Sequence, residues 1–250
     1  MRQRETNPRL YSDLTSFEID ECLDGTTLIW PCGTIEQHGP HLPLSVDVDI
    51  SEAMAFQVSR EVDGYVLPPL IYGARSLPQS GGGLSFAGTL YSHGSILVEY
   101  LESILASIAC LPIKRLILLN GHFENEPFLF EALDTLSEGA VLKGIDVVAF
   151  SWWSVVEEAW VRDNLPRFPG WHAEHAGETE TSLMLFLRPE LVRPPRPVHD
   201  RIPKAGIYRN PIDANVATTQ GVLSSTSGAT AELGEALFWH VIDRTLVLLD

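Results

Sequence analysis

The chain has 250 residues, of which 45% are hydrophobic and 20% charged, ordinary values for a globular protein. Its 33 acidic and 17 basic residues leave a net charge of −16, which argues against nucleic acid or an anionic membrane as partner and is compatible with bound cations. No apolar run approaches the ~18–20 residues of a membrane span. The start, MRQRETNPRLYSDLTS, lacks a signal-like apolar core, and three scattered cysteines (Cys22, Cys32, Cys110) predict a reducing cytoplasm rather than a disulfide framework.

In chain order, TTLIWPCG (26–33) reads as a buried strand ending in glycine. Residues Asp49 to Glu61 read as a helix, with Asp49 and Glu52 in a capping-box pattern. YVLPPLIYG (65–73) is a second strand with a proline-broken exit, and the glycine-rich loop SGGGLSFAGT (80–89) leads into a helix from Ser92 to Ala109. RLILLNGH (115–122) is a third strand, Glu126 to Leu136 a helix, and DVVAFSWW (146–153) a fourth strand. ETSLMLFL (180–187) is a buried helix, residues 188–229 are irregular, and Ala231 to Leu249 closes the chain as a helix. Strands alternating with helices predict an α/β fold with right-handed βαβ units and a mainly parallel sheet. There is no internal repeat and no domain boundary, so the expectation is one domain over residues 1–250.

The polar residues fall at telling places. GTIEQHGPHLPLSVDVD (33–49) follows the first strand and NGHFEN (120–125) the third, so both lie at the carboxyl edge of the sheet, where open α/β sheets build their sites. Glu36 and His38 are two apart, as are His122 and Glu124, so in extended chain each pair can aim a carboxylate and an imidazole the same way. With Asp49 capping the helix, Asp47 is left free. A third cluster, GWHAEHAGETETS (170–182), carries His172, Glu174, His175, Glu178 and Glu180. Helix-dipole preference accounts for Glu178 but not for the histidines. Glu180 heads an apolar run and points inward, where a buried carboxylate needs a cation, yet no Lys or Arg lies between Arg167 and Arg188. Imidazole and carboxylate without thiolate suit catalytic Zn²⁺ or Mn²⁺, and five such groups suit two ions sharing a carboxylate. The glycines at 81–83 lack a following P-loop Lys-Ser/Thr, which excludes a nucleotide site. Trp152 and Trp153 end an apolar strand, and from the strand alone a core role is their plainer reading. His93 and His240 read as structural or surface residues, and neither His41 nor His199 receives a role.

The segments GTIEQHGPHLPLSVDVDI, SGGGLSFAGT, NGHFEN, SWW, GWHAEHAGETETSLML and GVLSS, in this order, resemble the creatininase (creatinine amidohydrolase) family. The resemblance implies a three-layer α/β/α fold, assembly as a homohexamer and two divalent ions per chain, Zn²⁺ with Mn²⁺ in one site. It implies Glu36, His38, Asp47, His122 and Glu180 as metal ligands. Asp47 bridges, Glu36 and His122 complete one site, and His38 and Glu180 the other. Glu124 then orients or deprotonates the attacking water, His175 gives a proton to the leaving nitrogen, and Trp153 and Trp171 close over a flat ring. Ser80 and the backbone around Phe123 hold the substrate, with His172 beside them. Three positions depart from the family's creatinine-hydrolysing pattern: His172 replaces an aspartate, Phe123 a tyrosine, and Leu84-Ser85 an Asn-His pair. The expected reaction is opening of a small cyclic amide, creatinine to creatine first. The alternatives are another cyclic or formylated amide, or a maturation subunit that holds metal without turnover.

Overall fold

A computed structural model describes residues 8–81, 85–199, 201–202, 204–211 and 220–250. Gly82, Gly83 and Leu84 of the glycine-rich loop lie outside the described residues. The elements run α1 (Ile19–Leu23), β1 (Thr27–Cys32), α2 (Val46–Glu61), β2 (Tyr65–Val66), α3 (Pro78–Gly81), α4 (Gly94–Ile108), β3 (Arg115–Asn120), α5 (Glu126–Glu138), β4 (Asp146–Ser151), α6 (Glu158–Asn164), α7 (Glu178–Leu187) and α8 (Ala231–Leu249). The sheet order is β2-β1-β3-β4, with every pair parallel.

Alternation along the strands sorts the apolar side chains into two cores. Ile29, Ile117, Leu119 and Phe150 pack with Ile50 and Met54 of α2, Leu183 and Met184 of α7, and Val241 and Ile242 of α8. Leu28, Trp30, Leu116 and Leu118 pack on the other face with Leu97, Leu101 and Leu105 of α4 and Leu129 and Leu136 of α5. A parallel sheet covered on both faces needs strands that are apolar throughout, which is why β1 and β3 read as continuous runs. The result is the expected three-layer α/β/α arrangement. Pro31 sits inside β1 without breaking it. Its carbonyl accepts from Leu70 N at 2.9 Å on the side where β2 has already ended, so its missing N–H leaves no ladder bond unmade.

Several boundaries differ from the sequence reading. Helix α2 starts at Val46, with Ser45 at its N-cap, so the Asp49–Glu52 capping box does not form. Ser45 Oγ instead donates to Asp49 Oδ2 at 2.7 Å, and Asp47 lies within the first turn rather than before it. The second strand keeps only Tyr65–Val66 of the expected 65–73, because the following prolines end the ladder. The fourth strand ends at Ser151, and Trp152–Val155 turn as a 3₁₀ segment. Helix α7 starts two residues early, at Glu178. Helices α1 and α6 were not foreseen, being too short to show a period.

Glycines let α2 approach the sheet. A Cβ at Gly33, just after β1, would lie 2.6 Å from Val48 N and 2.8 Å from Asp47 C, and one at Gly121, just after β3, would collide with Asp47 O. The first turn of α2 therefore rests on the backbone of both strand ends. Gly33→Ala should lower the unfolding free energy by about 1–3 kcal/mol, the usual scale of overpacking. An unchanged midpoint in urea unfolding would show that α2 can shift without cost.

Candidate metal and active site

Four segments bring the polar clusters together. The loop after β1 delivers Glu36 and His38, the first turn of α2 delivers Asp47, and the extended residue after β3 delivers His122. Glu180 comes from the first turn of α7, where its Oε2 accepts from Ala176 N at 2.6 Å. All five are buried. His38 Nε2 lies 3.1 Å from Asp47 Oδ1 and 3.7 Å from Glu180 Oε2. His122 Nδ1 lies 3.1 Å from Glu36 Oε2 and 3.1 Å from Asp47 Oδ2. The two oxygens of Asp47 thus face two imidazoles, and the groups Glu36–Asp47–His122 and His38–Asp47–Glu180 each have their ligand atoms within 4.8 Å of one another. A third group of that kind, Glu36–His38–His175, overlaps both.

The backbone fixes how these rings point. His38 Nδ1 is 3.1 Å from the Glu36 carbonyl, and His122 Nε2 is 3.1 Å from the Ala74 carbonyl. A carbonyl can only accept, so those nitrogens carry the hydrogen and the opposite ones face the carboxylates. A neutral imidazole there sets a lone pair against an anion, so either a proton or a cation must stand between them. Burial opposes charge on His38, but Asp47 and Glu180 outweigh it and raise its pKa well above the ordinary value. His122 is raised in the same way, against burial, chiefly by Glu36 and then Asp47. Burial pushes Glu36 up to about 7 despite His122, whereas for Asp47 the two imidazoles overcome burial and lower it. Glu36 Oε1, His38 Nε2 and Asp47 Oδ2 have no hydrogen-bond partner although buried. With the imidazoles neutral, the three carboxylates of these groups would leave three uncompensated negative charges. The donor set and its orphaned atoms fit divalent cations.

Around this cluster lies a cavity lined by every residue to which the family resemblance gives a role, except His38. Glu124 Oε1 accepts from Leu77 N at 3.0 Å and from Ser80 Oγ, while Oε2 lies 3.4 Å from His122 Nε2. Burial, and then the charge of His38, lower the pKa of His175 well below the ordinary value. Its Nε2 lies 3.9 Å from Glu36 Oε1 and 3.0 Å from the side-chain nitrogen of Gln37. Phe123 stacks on Trp153 with ring centres 6.1 Å apart, and Trp152 stands edge-on to both Trp153 and Trp171. His172 joins them from the 3₁₀ turn Trp171–Ala173.

Some working residues escaped the sequence reading. Gln37 donates to Gly221 O at 3.0 Å and accepts from Gly39 N at 3.1 Å, which leaves its second N–H for His175. Glu174 accepts from Thr179 N at 2.6 Å and Ser224 Oγ at 2.8 Å, bracing the turn that carries His175. Asn125 accepts from Ala74 N at 2.7 Å and donates to Gly33 O at 3.1 Å, tying three loops together. His41, given no role, is buried with Nε2 2.9 Å from Thr181 Oγ1, joining the first loop to α7. Burial of amides in irregular chain was the available signal, and one sequence does not show it. Trp152 both fills the core and lines the cavity. His199 lines a separate recess with Arg167 and Glu178, away from the cluster.

A covered parallel sheet with carboxylates and imidazoles converging at its carboxyl edge defines a metal-dependent hydrolase. The family is more specific: the creatininase (creatinine amidohydrolase) sequence profile matches residues 12–249, and the chain belongs to that family. It is 36% identical over 218 residues to a creatinine amidohydrolase of Pseudomonas putida, covering 84% of this chain and 83% of that one. It is 32% identical over 229 residues to a mycofactocin precursor peptide peptidase of Mycobacterium ulcerans, covering 87% and 82%. A crystal structure of creatinine amidohydrolase superposes with a TM-score of 0.90 at 32% identity, over 98% of this chain and 97% of that one. Similar creatininase structures include a zinc–zinc form of a variant and a manganese form. The chain is accordingly a metal-dependent amidohydrolase. Among the described residues no helix is long and apolar enough to cross a membrane.

A cation that relieves this charge binds the folded state alone, so it must stabilise it. Adding Zn²⁺ or Mn²⁺ to chelator-stripped protein should raise Tm by several degrees in calorimetry, and chelation should reverse the gain. An indifferent Tm would mean that protons suffice for the cluster.

Proposed function

We propose that the chain is a binuclear amidohydrolase that opens a small cyclic amide, with creatinine to creatine the best-supported reaction. The observation that carries this reading is Asp47, whose two oxygens each face a different buried imidazole. In this reading Glu36 and His122 would hold one ion and His38 and Glu180 the other, with Asp47 offering an oxygen to each. Two divalent ions there would supply Lewis-acid stabilisation of a developing oxyanion and a more acidic water. Zinc, with manganese in one position, is consistent with the forms in which similar creatininases were solved.

The remaining chemistry belongs to the chain's own side chains. Glu124 has one oxygen held by Leu77 N and Ser80 Oγ, which turns the other toward the cluster, where it takes a proton from the attacking water. Burial keeps His175 neutral at rest, so the proton it gives the ring nitrogen is one it first receives. The proton that Glu124 takes from water must therefore pass to His175 before the ring nitrogen receives it, and with that transfer the proton balance closes as the C–N bond breaks. Trp153 and Trp171, with Phe123, offer aromatic faces to a flat ring and exclude water from the cluster. Ser80, Phe123 and His172 complete the substrate's surroundings.

A second reading, a different cyclic or formylated amide or a short peptide, is favoured by His172 and Phe123. An imidazole can donate a hydrogen bond where a carboxylate only accepts, and phenylalanine lacks a hydroxyl. A similar protein is a precursor peptide peptidase, which adds weight to substrates larger than one ring. A subunit that merely holds metal needs no Glu124 oriented beside the ligands.

Two sets of variants separate these roles. Asp47→Ala should empty both metal positions and Glu36→Ala mainly one, by elemental analysis; Asp47→Ala protein that keeps two ions ends the bridging assignment. Glu124→Gln should keep its metal but lose about 10²-fold in turnover, the usual scale of acid–base help. Loss of metal there would make Glu124 a ligand instead.

Substrate identity rests on the aromatic end of the cavity. Metal-reconstituted protein should open creatinine in preference to other cyclic amides, and Trp171→Ala should damage both KM and kcat with metal retained. His172→Asp should be tolerated or raise kcat/KM on creatinine. Background turnover of creatinine beside rapid hydrolysis of another amide would remove creatinine and leave the two-metal chemistry standing.

A further inference from the structure

We propose that a recess beside Glu124 is a second substrate subsite, which takes an apolar arm ending in a carboxylate. The proposal rests on the hydrolase reading of the metal cluster and extends its substrate class to cyclic amides bearing an acidic side arm. The recess shares Ser80, Phe123 and Glu124 with the metal cavity, so the two adjoin at the proposed base and an arm on a ring held at the cluster has a short way to reach. Its other walls are chiefly apolar, from Leu77, Pro127 and Phe128, with Arg75 and His93 as the polar groups.

Two features show that the recess is held in shape. A Cβ at Gly94 would collide with the Phe128 ring, so the start of α4 and that ring interlock. The Leu77 N–H is bonded to Glu124 Oε1 at 3.0 Å, which fixes one wall to the proposed base. Arg75 supplies the charge preference. In a chain with 33 acidic and 17 basic residues, Arg75 lines this recess and forms no ion pair with a carboxylate among the described residues. A planar guanidinium offers a carboxylate two parallel hydrogen bonds. The bond-breaking step is unchanged: water adds to the ring carbonyl carbon, the C–N bond breaks, the nitrogen takes one of water's protons, and the carboxyl group formed releases the other to solvent.

The probes are 5-(2-carboxyethyl)hydantoin and 5-propylhydantoin, flat cyclic amides whose arms differ chiefly in charge. Their Kd values are measured by calorimetry on zinc-reconstituted Glu124→Gln protein, so that neither ring is consumed, and their kcat/KM values on the unmodified zinc enzyme. The acidic probe should bind about fivefold more tightly, the upper scale for an ion pair at a partly exposed site, with the same preference in kcat/KM. Adding Arg75→Gln should bring the ratio to about one, and Arg75→Glu should invert it. Equal Kd values, no binding of either probe, or a preference that survives Arg75→Gln would overturn the subsite. A binding preference without opening of either ring keeps the subsite and removes the hydrolase reading. Opening of both rings without preference does the reverse.

Discussion

The site depends on how closely the first turn of α2 approaches the ends of β1 and β3. Asp47 can face two imidazoles only because its backbone rests on Gly33 and Gly121, where any side chain would meet the helix. The loop after β1 then wraps the helix start, with Glu36 N bonded to Leu44 O at 3.0 Å, which brings Glu36 and His38 beside Asp47. Helix α7 is drawn in by His41 on Thr181 and by Arg188 on Asp49 at 3.2 Å. Glu180 reaches the cluster because these ties hold the end of α7 in place. A sheet edge, a helix start and a second helix start thus meet at one carboxylate.

That meeting concentrates negative charge where water is scarce, and among the described residues no lysine or arginine pairs with it. It instead fixes two imidazoles by backbone carbonyls so that their free nitrogens face the carboxylates. Burial raises Glu36 while the imidazoles lower Asp47, so neighbouring carboxylates differ in their demand for a proton. Such divergence marks sites built for chemistry rather than for stability. Ion pairs of this kind contribute little to folding once desolvation is counted. Stability comes from the two apolar layers, and the cluster is a cost that a bound cation offsets.

Much of this was legible in the sequence, for identifiable reasons. β1 and β3 are apolar throughout because both faces of the sheet are covered, and the polar residues after them had to lie at its carboxyl edge. Glu180 stood out as a carboxylate heading an apolar run with no cation nearby. Capping by Asp49 predicts a free Asp47 for the wrong physical reason: that capping box does not form, and Asp47 is available because it lies in the first turn of α2 with its carboxylate facing His38 and His122. Gln37, Glu174 and Asn125 were not legible, because their work is done by hydrogen bonds to loop backbone far along the chain. Trp152 could not be assigned to core or cavity because it serves both.

The division between rigid and irregular segments also explains why the reaction is better defined than the substrate. Asp47, His122 and Glu180 sit at the ends of strands and helices, so their spacing follows from the packing of the layers, and the loop carrying Glu36 and His38 is tied to the start of α2 by the bond from Glu36 N to Leu44 O. The residues proposed to surround the substrate come mostly from elsewhere: Ser80 from one turn of helix, Trp153 and Trp171 from 3₁₀ turns, and His172 beside Trp171. Substitution in such segments disturbs few core contacts, so specificity can drift while the metal geometry persists. His172 and Phe123, two of the departures from the creatinine-hydrolysing pattern, lie on these short turns. Glu124 belongs to both groups. It stands beside His122 in a 3₁₀ turn but is anchored by the backbone of Leu77, so a change in the surrounding walls can move this carboxylate only by breaking that bond. The proposed base is thereby kept with the candidate ligands while the walls around it vary.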